Sequence, residues 1–360
     1  MERYMVVDKV CGWPKLTLMD DGCILMDIHN KPSHGSVDGS AECWASVDGG
    51  RSFSFRGVSG RGSVADGCYC DKACGLANNG DYLVVVQNLR QKGTFVFRSA
   101  DGGKTFRQIG CISSGREQLA NHGSMPFPYG TIQRLGEGML VFHYWMNTES
   151  DWEKGYADAI HEAHIRISRD DGLTWDEDYL IGTGINETAV LFYDRENAVA
   201  VGRIDAAYTA NPGAQRDAGG GNRVYRTVDG GKTWAEEGML WGQGMIPTHL
   251  TALPDGLTLM TFGYRFANQY GVMASISRDR GKSWNEPNIL VEYAPFDGGY
   301  PSNVVLSDGT IVTAYYSAGN PYHNRYHVGV IRWRLNELLE GRWIGRPAKF
   351  YFGTDVEYVG

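Results

Sequence analysis

The chain has 360 residues, 42% of them hydrophobic, so it is long enough to bury a large core. Its formal net charge is -8, and no Lys/Arg run or basic stripe appears, which argues against nucleic acid as a partner. No window reaches the ~18 uninterrupted apolar residues of a membrane helix, and 48 glycines with 20 Tyr and 10 Trp suit short strands joined by tight turns.

The N-terminus, MERYMVVDKVCGWPK, carries no signal-peptide h-region. As written the chain reads as cytoplasmic, or as secreted or periplasmic if a leader was removed. LTLMDDGCILMDI (16–28) is the first of several apolar segments that turn at a D-G, N-G or similar pair and return as a β-rich run. A Gly/Ser-rich loop follows, and 27–44 offers Asp27, Asp38, Glu42, His29 and His34. SVDGGRSF (46–53) closes the first stretch.

All seven cysteines fall at or before position 111, and Cys68, Cys70 and Cys74 form a C-x-C-x3-C cluster. The cluster reads as reduced thiols, because no paired C-x2-C supports zinc, with metal binding as the rival reading. The hairpin pattern then recurs at 76–87, 132–144, 190–203, 250–265 and 304–316, making six copies. The eight-residue pattern recurs as SADGGKTF (99–106), SRDDGLTW (168–175), TVDGGKTW (227–234) and SRDRGKSW (277–284). HEAH at 161–164 is H-x-x-H leading into a strand, not a zinc helix.

Within each eight-residue copy, Asp and Gly make a tight turn in which the Asp side chain accepts backbone N–H bonds and Gly supplies positive φ. These five Asp residues are therefore staples and poor catalysts. The copies start at 46, 99, 168, 227 and 277, a spacing of 50 to 69 residues that suits four-stranded propeller blades. Six hairpins predict an all-β, six-bladed β-propeller, a single domain over 1–360. Its last blade, containing 326–339, is completed by an N-terminal strand, and LNELL makes a short helical turn.

Polar residues that break the apolar pattern at blade starts are the candidates for chemistry. Glu187 stands in an apolar strand approach and Arg203 ends the same hairpin, so the two can meet at the mouth of the channel, as functional groups or as a buried ion pair. Tyr300 opens the sixth hairpin and Arg265 ends the fifth. His122, His143 and His249 are further mouth candidates, with His249 favoured by its blade-start position. The stretch 205–223 is a long insertion, read as a lid or a tolerated surface loop.

The five repeats, S-x-D-x-G-x-T-W in form, and the six hairpins resemble the sialidase superfamily with its Asp-boxes, over nearly the whole chain. The resemblance implies a retaining exo-glycosidase in which Tyr300 is the nucleophile and Glu187 its base. Arg203 and Arg265 would bind the carboxylate of an acidic sugar, and a first-blade Asp would be the acid/base. Asp38 is chosen for that last role, with His34 as a rival proton donor, and His34 and His249 are assigned to substrate binding. No metal or organic cofactor is implied, and the partner is a glycan. One departure stands out: sialidases carry Arg-Ile-Pro at the start of the first blade, and this chain has Gly12-Trp13-Pro14. Lys15 or Lys31 could replace the missing Arg, though a point charge is not a fork. The rival readings are a carbohydrate-binding propeller without turnover and a glycosidase or lyase of other specificity.

Overall fold

A computed structural model describes residues 1–32, 39–60, 72–88, 93–113, 125–147, 161–204, 221–240, 244–266, 269–293, 297–320, 323–339, 350–352 and 356–358. The architecture is all-β. After β1 (Glu2–Asp8) come β2 (Lys15–Leu18), β3 (Ile24–His29), β4 (Ala41–Ser46) and β5 (Ser54–Gly60), then β6 (Lys72–Leu76), β7 (Tyr82–Asn88), β8 (Gly93–Ser99) and β9 (Arg107–Ile112). Next are β10 (Phe127–Gly136), β11 (Met139–Asn147), β12 (His161–Ser168) and β13 (Glu177–Thr183), and β14 (Asn186–Phe192), β15 (Ala198–Ile204), β16 (Gly221–Thr227) and β17 (Ala235–Leu240). The last runs are β18 (Met245–Ala252), β19 (Thr258–Phe266), β20 (Gln269–Ser277) and β21 (Asn288–Tyr293), then β22 (Gly298–Val305), β23 (Thr310–Ser317) and β24 (His327–Arg334). A single helical turn, α1 (Leu335–Leu339), and the short β25 (Phe350–Phe352) and β26 (Val356–Tyr358) follow.

Each run of four forms an antiparallel meander, and β22–β23–β24 is completed by β1, which pairs antiparallel with β24. The second and third meanders are joined by a short parallel pairing of β6 with β10. Apolar clusters sit between successive meanders. Cys43 and Leu25 of the first pack with Cys74 and Val84 of the second, and Val304 and Val312 of the last pack with Leu16 and Ile24 of the first.

This layering explains the sequence pattern. The second strand of a meander lies between neighbours on both faces, and β3, β7, β11, β15 and β23 are buried at every residue. Such strands read as near-continuous apolar runs rather than alternations. Each fully buried Val, Leu or Ile in them contributes roughly 1.5–3 kcal/mol. The fourth strands β9, β13 and β17 are mostly exposed or half-buried.

The five recurring turns share one hydrogen-bond set. In the second, Ser99 Oγ donates to Asp101 Oδ1 (2.8 Å) and accepts from Gly103 N (2.8 Å), while Asp101 Oδ2 accepts from Thr105 Oγ1 (2.7 Å). The same bonds join Ser46, Asp48, Gly50 and Ser52, Ser168, Asp170, Gly172 and Thr174, Thr227, Asp229, Gly231 and Thr233, and Ser277, Asp279, Gly281 and Ser283. All five Asp carboxylates are consumed by their own turns. Among the described residues no helix is long and apolar enough to cross a membrane.

Candidate active site

The site lies where the first strands of the meanders begin, at the end opposite the Asp turns. There the β10–β11, β14–β15, β18–β19 and β22–β23 ladders each slip register, between Tyr129 and Gln133, Asn186 and Ala189, Met245 and Thr248, and Gly299 and Ser302. Such bulges re-aim a side chain. At them Gly130, Glu187 and Tyr300 have positive φ, and Trp13 does so just before β2.

Glu187 and Tyr300 come from meanders four and six and meet directly. The Tyr300 hydroxyl donates to Glu187 Oε1 at 2.6 Å. Arg203 Nη1 donates to Glu187 Oε2 at 2.6 Å and to the Tyr300 oxygen at 3.2 Å. Arg265 stands 5.8 Å from the Tyr300 ring centroid and donates from Nη2 to the Gly298 carbonyl at 3.0 Å. All four side chains are buried. Burial, then the charge of Glu187, pushes the Tyr300 phenol well above its usual range, against the pull of Arg203 and Arg265. The phenol therefore holds its proton at neutral pH and presents it to Glu187.

An aromatic wall surrounds the pair. The Tyr300 ring meets Tyr316 (5.6 Å), Trp13 (6.4 Å) and Tyr129 (6.4 Å). Tyr316 donates to Asp297 Oδ1 at 2.6 Å, and Tyr326 donates to the other oxygen of the same carboxylate. Sequence reading passed over Tyr129, Tyr316 and Asp297, because aromatics in strands read as core. A signal did exist: Tyr129-Gly130 opens a repeated hairpin, as Asn186-Glu187 and Tyr300-Pro301 do.

The first meander departs from expectation. An ideal Cβ on Gly12 would overlap the Val328 Cγ2 methyl, so packing leaves no room there for the arginine of the sialidase motif. Lys15 is buried with its ammonium 4.0 Å above the Tyr129 ring, and Lys31 is half-buried. Asp38 and His34 lie outside the described residues, as do Cys68, Cys70, His122 and positions 205–220 of the insertion. Glu42 accepts from Asn30 and Trp44. Asp27 is fully buried and accepts from Ser59 Oγ at 2.6 Å. Burial pushes its carboxyl up to about 7, with Lys72 and the Ser59 bond opposing.

His249, assigned to substrate binding, is held through Nδ1 by Asn303 (3.1 Å) and Thr251 (3.3 Å). His161 pairs with Asn186, and His164 sits between Asp178 and Glu162. Among the described residues no group of three His, Cys, Asp or Glu could hold a metal ion.

No protein-family model matches the chain, and neither does any curated protein. Solved structures do. A protein of unknown function from Dyadobacter fermentans superposes with a TM-score of 0.74 at 19% identity, over 92% of this chain and 98% of its own. A Hadza microbial sialidase gives 0.67 at 16% identity, over 90% of this chain and 66% of its own, so this chain spans just under two thirds of that sialidase. The α-L-arabinanase of Penicillium chrysogenum, complexed with arabinobiose, gives 0.61 at 12% identity, over 92% and 98%. At such identities the likeness is one of fold: the chain is all-β and its neighbours have propeller folds.

Proposed function

We propose that the chain is a retaining exo-glycosidase of sialidase type, a closed six-bladed propeller with five Asp-boxes. It releases a terminal sialic acid or related acidic sugar from a glycan. The apolar cluster between the last and first meanders supports ring closure. The observation that carries the chemistry is the 2.6 Å hydrogen bond from the Tyr300 hydroxyl to Glu187 Oε1, with Arg203 bonded to both.

In this reading Tyr300 Oη attacks the anomeric carbon while its proton passes to Glu187. The bond to the leaving oxygen breaks as the acid, assigned to Asp38, protonates that oxygen. A water deprotonated by Asp38 then hydrolyses the tyrosyl–sugar bond, and the phenolate recovers its proton from Glu187. Arg203 keeps the proton path in line, and Arg265 adds a fixed positive charge suited to a sugar carboxylate. A neutral phenol beside a carboxylate suits the task, since a phenolate attacking a substrate carrying its own negative charge would be repelled.

The closed space at Gly12 supports a second reading, a glycosidase for a different sugar. The test is hydrolysis of a panel of fluorogenic glycosides, acidic and neutral, by wild type and Tyr300→Phe. Turnover of an acidic sugar that Tyr300→Phe abolishes is the expected result. Turnover of neutral sugars alone overturns the acidic specificity. Turnover unaffected by the substitution overturns the nucleophile, and binding without any turnover leaves a carbohydrate-binding propeller.

A further inference from the structure

Tyr300 sits at the least regular point of its meander. Gly299 pairs with Tyr316 and Ser302 with Ala314, so Tyr300 and Pro301 together face Tyr315. Pro301 has no N–H to give the ladder, and Tyr300 has a φ of 52°. A bulky residue keeps such a backbone only where its surroundings over-determine it. On the C-terminal side the hold is plain: Ser302 is wholly buried, and its Oγ accepts from the Leu16 N–H of the first meander at 2.9 Å. On the N-terminal side stand Gly298 and Gly299, which lack a Cβ and so are the residues least able to hold a strained neighbour. Packing requires them. A Cβ on Gly298 would overlap the Tyr293 ring, and one on Gly299 would crowd the Gly263 Cα at 3.0 Å.

The hold on that side comes from Asp297. Its half-buried carboxylate takes two phenols, Tyr316 on Oδ1 at 2.6 Å and Tyr326 on Oδ2. Its carbonyl accepts from the Ala318 N–H at 2.8 Å, and the next carbonyl, of Gly298, accepts from Arg265 Nη2 at 3.0 Å. Both phenols are themselves fixed. Tyr316 is wholly buried and paired with Gly299 across the ladder, and its ring lies 5.4 Å from Trp13 and 5.6 Å from Tyr300. Tyr326 stacks on Tyr316 at 6.2 Å, and its carbonyl accepts from the Val10 N–H at 3.2 Å. Burial, then Asp297 itself, holds both phenols well above their usual range, so both remain donors at neutral pH.

We propose that Asp297 is a positioning residue for Tyr300: by gripping Tyr316 and Tyr326 it fixes the backbone of 297–300, so that the Tyr300 hydroxyl stays on Glu187. The catalytic consequence rests on the reading of Tyr300 as the nucleophile, and the anchoring rests on the geometry. Asp297 acts through the backbone and the Tyr316 ring rather than by proton transfer, since both its oxygens are engaged by phenols that keep their protons. A misplacement of about 1 Å at a nucleophile is enough to cost on the order of 10²-fold in rate.

Crystals of wild type and of Asp297→Asn test the anchoring. The amide keeps the shape but offers one acceptor oxygen in place of two, so one phenol is released, and the Tyr300–Glu187 hydrogen bond should lengthen beyond about 3.2 Å. Kinetics on any glycoside that wild type cleaves test the consequence. Asp297→Asn should lower kcat roughly 10²-fold with KM near the wild-type value. Tyr326→Phe keeps the ring stack and should lower kcat less. Added to Asp297→Ala it should change nothing further, because its hydroxyl then has no carboxylate there to bind. If Asp297→Ala does not fold, Asp297→Asn and Tyr326→Phe carry the comparison. A Tyr300–Glu187 bond still at 2.6 Å in Asp297→Asn overturns the proposal. So does an unchanged kcat with a lower Tm, which makes Asp297 a residue of the fold alone. A raised KM with kcat intact makes it a binding group and equally overturns it. A wild type that cleaves no glycoside overturns the nucleophile instead, and the bond length in the two crystals then decides the anchoring by itself.

Discussion

Glu187 and Tyr300 stand on backbone with φ of 28° and 52°, a region that costs a bulky residue roughly 1–3 kcal/mol. Tyr300→Phe keeps the ring against Trp13, Tyr129 and Tyr316 and removes only the hydroxyl. It should lower kcat at least ~10³-fold on any substrate the wild type cleaves, with Tm nearly unchanged, as steady-state kinetics and thermal unfolding will read. Glu187→Gln removes the base, for about 10²–10⁴ in kcat, and also removes the carboxylate that Arg203 holds at 2.6 Å. A loss of Tm with kcat intact would instead make Glu187–Arg203 a buried ion pair. Arg265→Lys exchanges a fork for a point charge and should raise KM for an acidic sugar ~10–100-fold while sparing neutral ones. Asp27 carries the clearest pH signature. Its folded pKa of about 7 lies above the unfolded value, so the fold keeps a proton that the unfolded chain releases between about pH 4 and 7. Its contribution to stability falls as pH rises through that window. Asp27→Asn should therefore match wild type near pH 4 and exceed it by roughly 3–4 kcal/mol above pH 7, measured as the difference between two urea-unfolding series. A constant difference would show that Asp27 does not titrate in this way.

At the level of the element, two local devices divide the labour. The Asp turns hold one end of the first five meanders, and at the other end bulges break the first ladder of the last four. Asp101 accepts from the Thr105 backbone and hydroxyl, then from Ser99 and the Lys104 backbone, and these bonds pull its carboxyl well below the usual range. Asp101→Ala should cost roughly 1–2 kcal/mol, small because the turn is solvent-exposed, and should leave catalysis untouched. Gly12→Arg tests the other end. It rewrites the stretch towards the sialidase motif, but the side chain must displace Val328. Overpacking should cost roughly 1–3 kcal/mol, read by urea unfolding, with no gain in turnover of acidic sugars.

At the level of the molecule, β1 ties the chain's two ends together. It pairs with β24 from Glu2–Arg332 to Asp8–His327. The buried Arg3 donates to the Leu290 carbonyl in β21, which anchors the strand to the preceding meander as well. Deleting residues 1–8 exposes a full strand edge on β24 and removes this anchor. The truncated chain should lose its cooperative thermal transition or aggregate, while Arg3→Ala alone should lower Tm and keep a single transition.

Much of this was legible in the sequence because the causes are local. An Asp turn closes its hydrogen bonds within eight residues, and a hairpin announces itself by an apolar run, a turn pair and a return. Glu187, Arg203, Arg265 and Tyr300 were legible because they interrupt such runs. The residue pattern by itself does not decide which side chains meet across meanders more than a hundred residues apart; the pairing of Glu187 with Tyr300 was implied only by the family resemblance. Nor could it reveal that Val328 closes the space beside Gly12 or that Asp27 is wholly buried. Burial and through-space charge are properties of packed neighbours, and only the tertiary structure chooses the neighbours.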